Sequence, residues 1–521
     1  MQHSPLNPLP GGIPTTAEAF SPVLLAYAQG NMDSNVAADA AAARSLMPPG
    51  TAAMRDFSYV APEMPAFMAS KCTACMECVN VCPDTAILAK VTPEDQLQRC
   101  MAGVGAPDAA DLNGHFVRHP KFFGAMQKKG KPGGVFSLFV DPTKCKGCAE
   151  CVEVCPSQAL GMEAKQDGVV EQARQQFGFF SRLPVTPADY VTKAPADTML
   201  SPEAQLYVGG AGSCMGCGEG SAIRLMLAST GRQYGQENIG ILASTGCNSV
   251  FGSTFPYNPY KVSWANSLFE NAPTFAMGVR LKWNQRGWHK KRLWVLGGDG
   301  AMNDIGFQSL SRMLCSGMDI KVLVLDTQVY SNTGGQASTA SFIFQNSKMA
   351  FHGKAQHGKQ ERRKELSEIA MMHPDVYVAQ TITSNLNHFY KAIQGANDYP
   401  GPALVNVYTT CQPEHGVADD MAAHQSKLAA DCRVFPLLIH DPRKGEKLSE
   451  RLSLQGNVAV EQDYFSHPKS GEKLDFIHWA RTEGRFSKHF GPDGSPSPEM
   501  VAAGEDRLKH WHLLQELAGI I

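Results

Sequence analysis

Residues 292–335 read RLWVLGGDGAMNDIGFQSLSRMLCSGMDIKVLVLDTQVYSNTGG. An apolar run, Arg292 to Leu296, ends in Gly-Gly-Asp-Gly. Residues 304–317 follow with helical spacing, and 320–326, IKVLVLD, form a second continuous apolar run. Strand, helix and strand in this order predict a crossover in a parallel sheet buried on both faces. VYVAQT (376–381), NLNHFYKAIQGAND (385–398) and ALVNVYT (403–409) continue the same rhythm. The expected fold class is α/β, and ligands of such sheets sit at the carboxyl ends of the strands.

The loop at that end carries chemistry. Gly298 and Gly300 let a ligand approach the backbone closely. Asp299 offers a hard oxygen for Mg²⁺, which favours one or two protein oxygens plus phosphate oxygens. Thr327 follows the next strand and can complete the shell with a nearby carbonyl. Helix-start N–H groups suit a diphosphate. Gly-Asp-Gly followed by an Asn-containing turn, YSNTGG, resembles the thiamine diphosphate (TPP) motif; the bland alternative is an Asp-capped helix after an ordinary strand.

Upstream, one cysteine ladder is written twice, as KCTACMECVNVCP (71–83) and KCKGCAECVEVCP (144–156). Each reads C-x2-C-x2-C-x3-C-P. Three closely spaced thiolates wrap one side of a [4Fe–4S] cluster, and in paired ladders the fourth ligates the other cluster. Cys72, Cys75, Cys78 and Cys155 should hold one cluster; Cys145, Cys148, Cys151 and Cys82 should hold the second. Zinc sites pair short C-x-x-C units and need no such triplets. Two clusters in series imply electron transport. The 62 residues between Cys82 and Cys145 include a basic stretch, 112–134, that reads as a loop. GVFSLFVDPTKC (134–145) reads as a strand leading into the second ladder.

A third cysteine set comprises Cys214 and Cys217 in GSCMGCGEGSA, Cys247 in STGCNSVFG and Cys411 in VYTTCQPEHG. By spacing alone, Cys214 and Cys217 fit a turn, a redox pair or half a zinc site as well as a cluster. Cys247 and Cys411 follow strand ends and so can reach the rim that carries Asp299.

The bulk numbers agree with a multidomain cytoplasmic protein. The chain has 521 residues, 43% of them apolar, a net charge of −2 and 15 cysteines. That length suggests two to four domains. The balanced charge gives no support for a nucleic-acid or membrane-surface role. No run is long enough to span a membrane, and the N-terminus lacks secretory-signal features. Clustered cysteines in a reducing compartment point to metal ligation.

Across residues 60–521 the chain resembles the pyruvate:ferredoxin (flavodoxin) oxidoreductases, within the 2-oxoacid:ferredoxin oxidoreductases. CMGCGE, STGCNS, WANSLFENA, GGDGAMNDIG, LDTQVYSNTGGQAS, TTCQPEHG and ARTEGRFSKHF carry the resemblance. It departs from the family at Ala301, where an aromatic residue is usual, in the length of the inter-ladder insert and around Cys411.

Residues 1–60, rich in Pro, Ala and Gly, read as an N-terminal arm; the resemblance implies a two-[4Fe–4S] ferredoxin-like α+β domain (61–165), a TPP-binding parallel-sheet domain (166–435) and an extension packed on it (436–521). It implies that Cys214, Cys217, Cys247 and Cys411 bind a third cluster nearest TPP. By the same match Glu219 and Cys247 line the cofactor; Asp299, Thr327 and the Val329 carbonyl hold Mg²⁺. Gly298, Gly300, Ala301, Gln328, Tyr330, Ser331 and Asn332 complete the cofactor site. The implied activity is oxidative decarboxylation of a 2-oxoacid, pyruvate first, with coenzyme A taking the acyl group and ferredoxin or flavodoxin the electrons. No domain here matches the one that presents a carboxylate to the aminopyrimidine or the one that binds coenzyme A. The catalytic base is therefore expected on a partner subunit, in a dimer of heteromers. The alternatives are an electron-transfer module with a non-catalytic TPP-like domain and an oxidoreductase for another oxoacid such as 2-oxoglutarate.

Other residues receive plainer readings. Cys100, Cys315 and Cys432 are ordinary, with Cys315 on the apolar face of a helix. The cationic stretch 348–366 is a solvated surface, His352 and His357 are not a metal pair, and His415 is a loop residue. Residues 35–47 suit a helix, and 503–519 form an amphipathic C-terminal helix.

Overall fold

A computed structural model describes residues 21–31, 43 and 46–521. The predicted helix at 35–47 falls almost wholly outside them. The chain forms two compact units. The first runs to Gly216 and adds Ile223–Arg232 and Phe251–Ser263; the second comprises Cys217–Ala222, Gln233–Val250 and Trp264–Ile521.

In the first unit, β1 (Glu63–Phe67), β2 (Ile87–Pro93), β3 (Phe116–Val117), β4 (Gly134–Val140) and β5 (Leu160–Ala164) frame the ladders. β1 pairs antiparallel with β5, and β4 pairs antiparallel with both β2 and β3. Every residue of β2 and β4 is buried. Leu88, Val135 and Phe139 pack with Phe179, Phe180 and Leu183 of the following helix and its end. The basic insert is not simply a loop: it supplies β3 and the helix Phe123–Gln127. The cause is apolar, since Phe122 is buried and stacks 6.0 Å from Phe136. The N-terminal arm likewise contains the helix Ser21–Ala28, with Val23 and Leu24 packed beside Ala52 and Tyr257.

In the second unit, eight strands form one sheet: β6 (Ile239–Ser244), β7 (Ser263–Ser267), β8 (Arg292–Gly298), β9 (Lys321–Asp326), β10 (Tyr377–Ile382), β11 (Ala403–Tyr408), β12 (Leu438–His440) and β13 (Leu452–Ser453). Their order is β13-β12-β10-β11-β9-β8-β6-β7. β10, β11, β9, β8 and β6 are mutually parallel, in the α/β arrangement that the alternating pattern predicts. β9 and β11 are buried at every residue, as central parallel strands must be. The polar tail does more than pack on this sheet: β12 and β13 extend it as antiparallel edge strands.

One face buries Val295, Val322, Val324 and Leu404 with Leu310 and Met313, closed by Trp511 and Leu514 of the C-terminal helix Pro498–Leu517. A second cluster joins Phe342, Tyr408 and Phe435 to Trp479 and Phe486. Cys315 is exposed rather than on an apolar face, because the helix Phe307–Leu314 stops just before it.

Candidate functional site

The ladders fold as near copies. Each is bent by left-handed residues at equivalent positions: Ala74 and Gly147, Met76 and Ala149, Thr85 and Gln158. Met76 and Ala149 each precede a short helix, Glu77–Val81 and Glu150–Glu153. These turns bring the cysteines together in a crossed arrangement. One cavity is lined by Cys72, Cys75, Cys78 and Cys155. The other is lined by Cys82, Cys145, Cys148 and Cys151. Burial raises the thiols of Cys78 and Cys151 well above their ordinary value and Cys145 to about 12, with neighbouring thiols adding to the effect. Backbone N–H groups point at sulfur: Ala74 to Cys72 at 3.4 Å, Ala86 to Cys82 at 3.2 Å and Ala159 to Cys155 at 3.2 Å.

Lys146, between two cysteines of the second ladder, is buried. Its Nζ donates to Asp84 Oδ1 at 2.9 Å, to the Gly210 carbonyl at 2.9 Å and to Ser213 Oγ at 2.6 Å. It thereby fixes the loop that carries Cys214, an exposed residue of the first unit.

The other three cysteines of the third set, Cys217, Cys247 and Cys411, lie in the second unit. Cys217 and Cys411 stand close enough to Cys247 to disfavour its thiolate, after the larger effects of burial and Glu219. Cys247 opens the helix Cys247–Ser253, beyond β6, and Cys411 caps Gln412–His415, beyond β11. The Gly218 N–H donates to the Thr410 carbonyl at 3.2 Å, and a Cβ on Gly218 would lie 2.6 Å from the Thr410 nitrogen. That close approach needs glycine and holds Cys217 beside Cys411. Glu219 is buried with Oε2 unpartnered, and burial, then Asp299, lifts its carboxyl to about 8.

At the end of β8, Asp299 is fully buried. Its Oδ1 accepts from the Thr327 N–H at 3.2 Å and from Thr327 Oγ1 at 3.1 Å; its Oδ2 accepts from Ser338 Oγ at 2.5 Å. Thr327 Oγ1 also lies 3.1 Å from the Val329 carbonyl. Three hard oxygen donors thus converge. Burial raises the Asp299 carboxyl, and Asp326 raises it further. Gly300–Ile305 is a π-helical turn, a form frequent at functional sites. A Cβ on Gly300 would lie 2.3 Å from the Tyr330 ring, whose hydroxyl donates to Asp304 Oδ2 at 2.8 Å. Gly298 is half-buried, Ala301 buried and Asn332 exposed. Gln328 is left-handed, and its amide turns inward to Asp326.

Several residues behind this rim have no signature in the sequence. His415 is fully buried in a short helix, not a loop, and its Nε2 donates to the Thr327 carbonyl at 2.9 Å. Arg485 donates to Gln328 Oε1 at 3.0 Å and pairs with Glu483, which accepts from Tyr408. ARTEGRFSKHF marks that segment without revealing its task. Arg363 and Lys359, in the stretch expected to be a solvated surface, are buried; Arg363 pairs with Asp326 and Glu365. Lys354 and Arg362 of the same stretch do face solvent. His352 and His357 stack 5.0 Å apart, and Glu499 accepts from His357.

Comparison with known proteins fits this geometry. Residues 71–159 match the 4Fe-4S dicluster domain, and 244–407 match the C-terminal TPP binding domain of thiamine pyrophosphate enzymes. A probable pyruvate-flavodoxin oxidoreductase of Escherichia coli is 29% identical over 92% of this chain. The pyruvate-flavodoxin oxidoreductase of Rhodospirillum rubrum is 28% identical over 88% of it.

The chain is similar to the pyruvate-flavodoxin oxidoreductases over most of its length, through both matched domains.

It spans less than half the length of these two relatives, 44% and 42%. Among solved structures, a 2-oxoglutarate:ferredoxin oxidoreductase from Magnetococcus marinus aligns over 40% of this chain and 68% of its own, at 20% identity and a TM-score of 0.35.

Proposed function

We propose that this chain is the TPP- and iron–sulfur-carrying part of a 2-oxoacid:ferredoxin or flavodoxin oxidoreductase acting on pyruvate. In this reading it takes part in coenzyme A-acylating oxidative decarboxylation and passes single electrons through three [4Fe–4S] clusters. The observation that carries the reading is the convergence of Asp299, Thr327 and the Val329 carbonyl on the strand-end rim that also bears Cys217, Cys247 and Cys411.

The residues fit these groups. A buried carboxylate with a raised pKa, beside a hydroxyl and a carbonyl, suits a divalent cation that restores its charge. Two cavities walled by four thiols each suit two cubane clusters. Glu219 Oε2, buried without a partner, is the kind of atom a bound cofactor satisfies. TPP, when bound, supplies the nucleophile and electron sink for decarboxylation.

The protein's part is to hold and orient. Asp299, Thr327 and Val329 hold Mg²⁺; Gly298, Gly300 and Ala301 keep the diphosphate approach open. Gln328, Tyr330, Ser331 and Asn332 form the turn around the cofactor, lined by Glu219 and Cys247. Cys214 joins Cys217, Cys247 and Cys411 in the proximal cluster. The eight ladder cysteines hold two further clusters that carry electrons outward to the acceptor. Functionally, the ladder domain covers 61–165 and the TPP-binding domain 166–435, with 436–521 as its extension.

The pyrimidine-binding and coenzyme A-binding domains, and the carboxylate that activates the cofactor, are assigned to a partner subunit, in a dimer of heteromers. Relatives named for flavodoxin and, in Moorella thermoacetica, for ferredoxin support either carrier. Among the described residues no helix is long and apolar enough to cross a membrane; a reducing cytoplasm suits clustered cysteines that ligate metal.

Anaerobic reconstitution tests the reading. It should give about twelve irons per chain, four per cluster, and Mg²⁺-dependent TPP binding by calorimetry. A pull-down with this chain as bait, followed by an oxoacid panel on the complex, should give pyruvate-dependent carrier reduction. Iron near eight, or TPP binding indifferent to Mg²⁺, would overturn it.

A further inference from the structure

The candidate magnesium site and the third cysteine group meet at one hydroxyl. Ser331 Oγ lies 3.5 Å from Cys247 Sγ and 3.3 Å from Thr327 Oγ1. Thr327 Oγ1 lies 3.1 Å from both Asp299 Oδ1 and the Val329 carbonyl. The four groups Cys247, Ser331, Thr327 and Asp299 therefore form one hydrogen-bonded line.

Chemistry sets the direction of that line. A thiolate accepts hydrogen bonds and cannot donate them. With Cys247 ionised as a cluster ligand, the single proton of Ser331 goes to its sulfur. Ser331 can then only accept from Thr327. That leaves the lone pairs of Thr327 Oγ1 facing the Asp299 and Val329 oxygens, where a cation would sit. A cation on Thr327 makes its O–H a stronger donor, which in turn polarises the Ser331 O–H toward sulfur; chained hydrogen bonds reinforce one another in this way.

We propose that Ser331 couples the two sites: filling the Asp299–Thr327–Val329 site with Mg²⁺–TPP strengthens the Ser331 hydrogen bond to Cys247 and raises the reduction potential of the cluster that Cys247 ligates. Hydrogen bonds to cluster sulfur stabilise the more negative, reduced state. By linkage, the reduced chain binds Mg²⁺–TPP more tightly than the oxidised one. The inference rests on the function proposed above, and makes Ser331 a positioning residue that reports cofactor occupancy to the electron chain.

The experiment is a redox titration of the reconstituted full chain, following the proximal cluster by electron paramagnetic resonance with and without Mg²⁺–TPP. Wild type should show a higher potential with the cofactor. Its TPP dissociation constant should fall at least about fivefold on cluster reduction. Ser331→Ala should lower the potential and abolish both responses while the ladder clusters keep theirs; Ser331→Thr, which restores a hydroxyl, should recover them. A Ser331→Ala chain with undiminished linkage, or a wild-type chain with three clusters and bound cofactor but no shift, overturns the inference alone. A chain with no third cluster overturns both it and the proposed function. The wild-type comparison stands even if the alanine variant loses its cluster.

Discussion

Gly300 has no room for a side chain. An added Cβ would meet the Tyr330 ring at 2.3 Å, and Asp304 holds that ring in place. Gly300→Ala should cost about 1–3 kcal/mol of stability, as overpacking does. Chemical denaturation measures that, and calorimetry should show Mg²⁺–TPP affinity falling with it. His388 offers a pH test away from the metal donors. Its Nδ1 lies 2.9 Å from Thr381 Oγ1, and burial, then Lys391, pushes its pKa down to about 4. The folded value lies below the unfolded one, so protonation favours the unfolded chain. This contribution is intact above about pH 6.5 and is lost as pH falls toward 4. Acidification from pH 7 to 5 should cost wild type about 2 kcal/mol more than it costs His388→Gln; equal losses in urea titrations would refute the assignment. At this scale Asp299 and Thr327 were legible because their spacing across two strands is a pattern. Ser338, His415 and Arg485 were not, because they reach the rim from distant segments by residue types that carry no periodicity.

At the scale of elements, charge buried behind β9 holds the rim. Asp326, at the end of that strand, is held by Arg363 and by Asn406 Nδ2 at 3.3 Å. Arg363 also pairs with Glu365, which Arg507 of the C-terminal helix engages at 2.6 Å. Removing one member leaves a buried charge uncompensated. Arg363→Met should therefore destabilise by about 3–5 kcal/mol, and Arg363→Met with Asp326→Asn should recover part of that loss. Denaturation of both variants decides it; an Arg363→Met chain as stable as wild type would show the network to be incidental. The cationic run misled because composition reports charge and not its partner. Arg363 finds Asp326 only once the chain has folded back. The strands were easier to read: continuous apolar runs between glycines and polar turns specify buried parallel strands, whereas the two-residue β13 has no such run and β12 takes only the last residues of the run VFPLLI (434–439).

For the whole molecule, the third cysteine group should be separable by mutation from the two ladder groups. A Cβ on Gly218 would strike the Thr410 backbone beside Cys411. Gly218→Ala should therefore lose about four of roughly twelve irons and keep the ladder spectra, as iron analysis and electron paramagnetic resonance would show. Loss of all iron would instead make Gly218 a general folding residue. The ladders behave differently, because each places its last cysteine in the wall of the other's cavity. Each chamber takes three of its walls from one ladder and the fourth from the other. Neither ladder can complete a site by itself, so the two must fold against each other before either chamber has its four thiols.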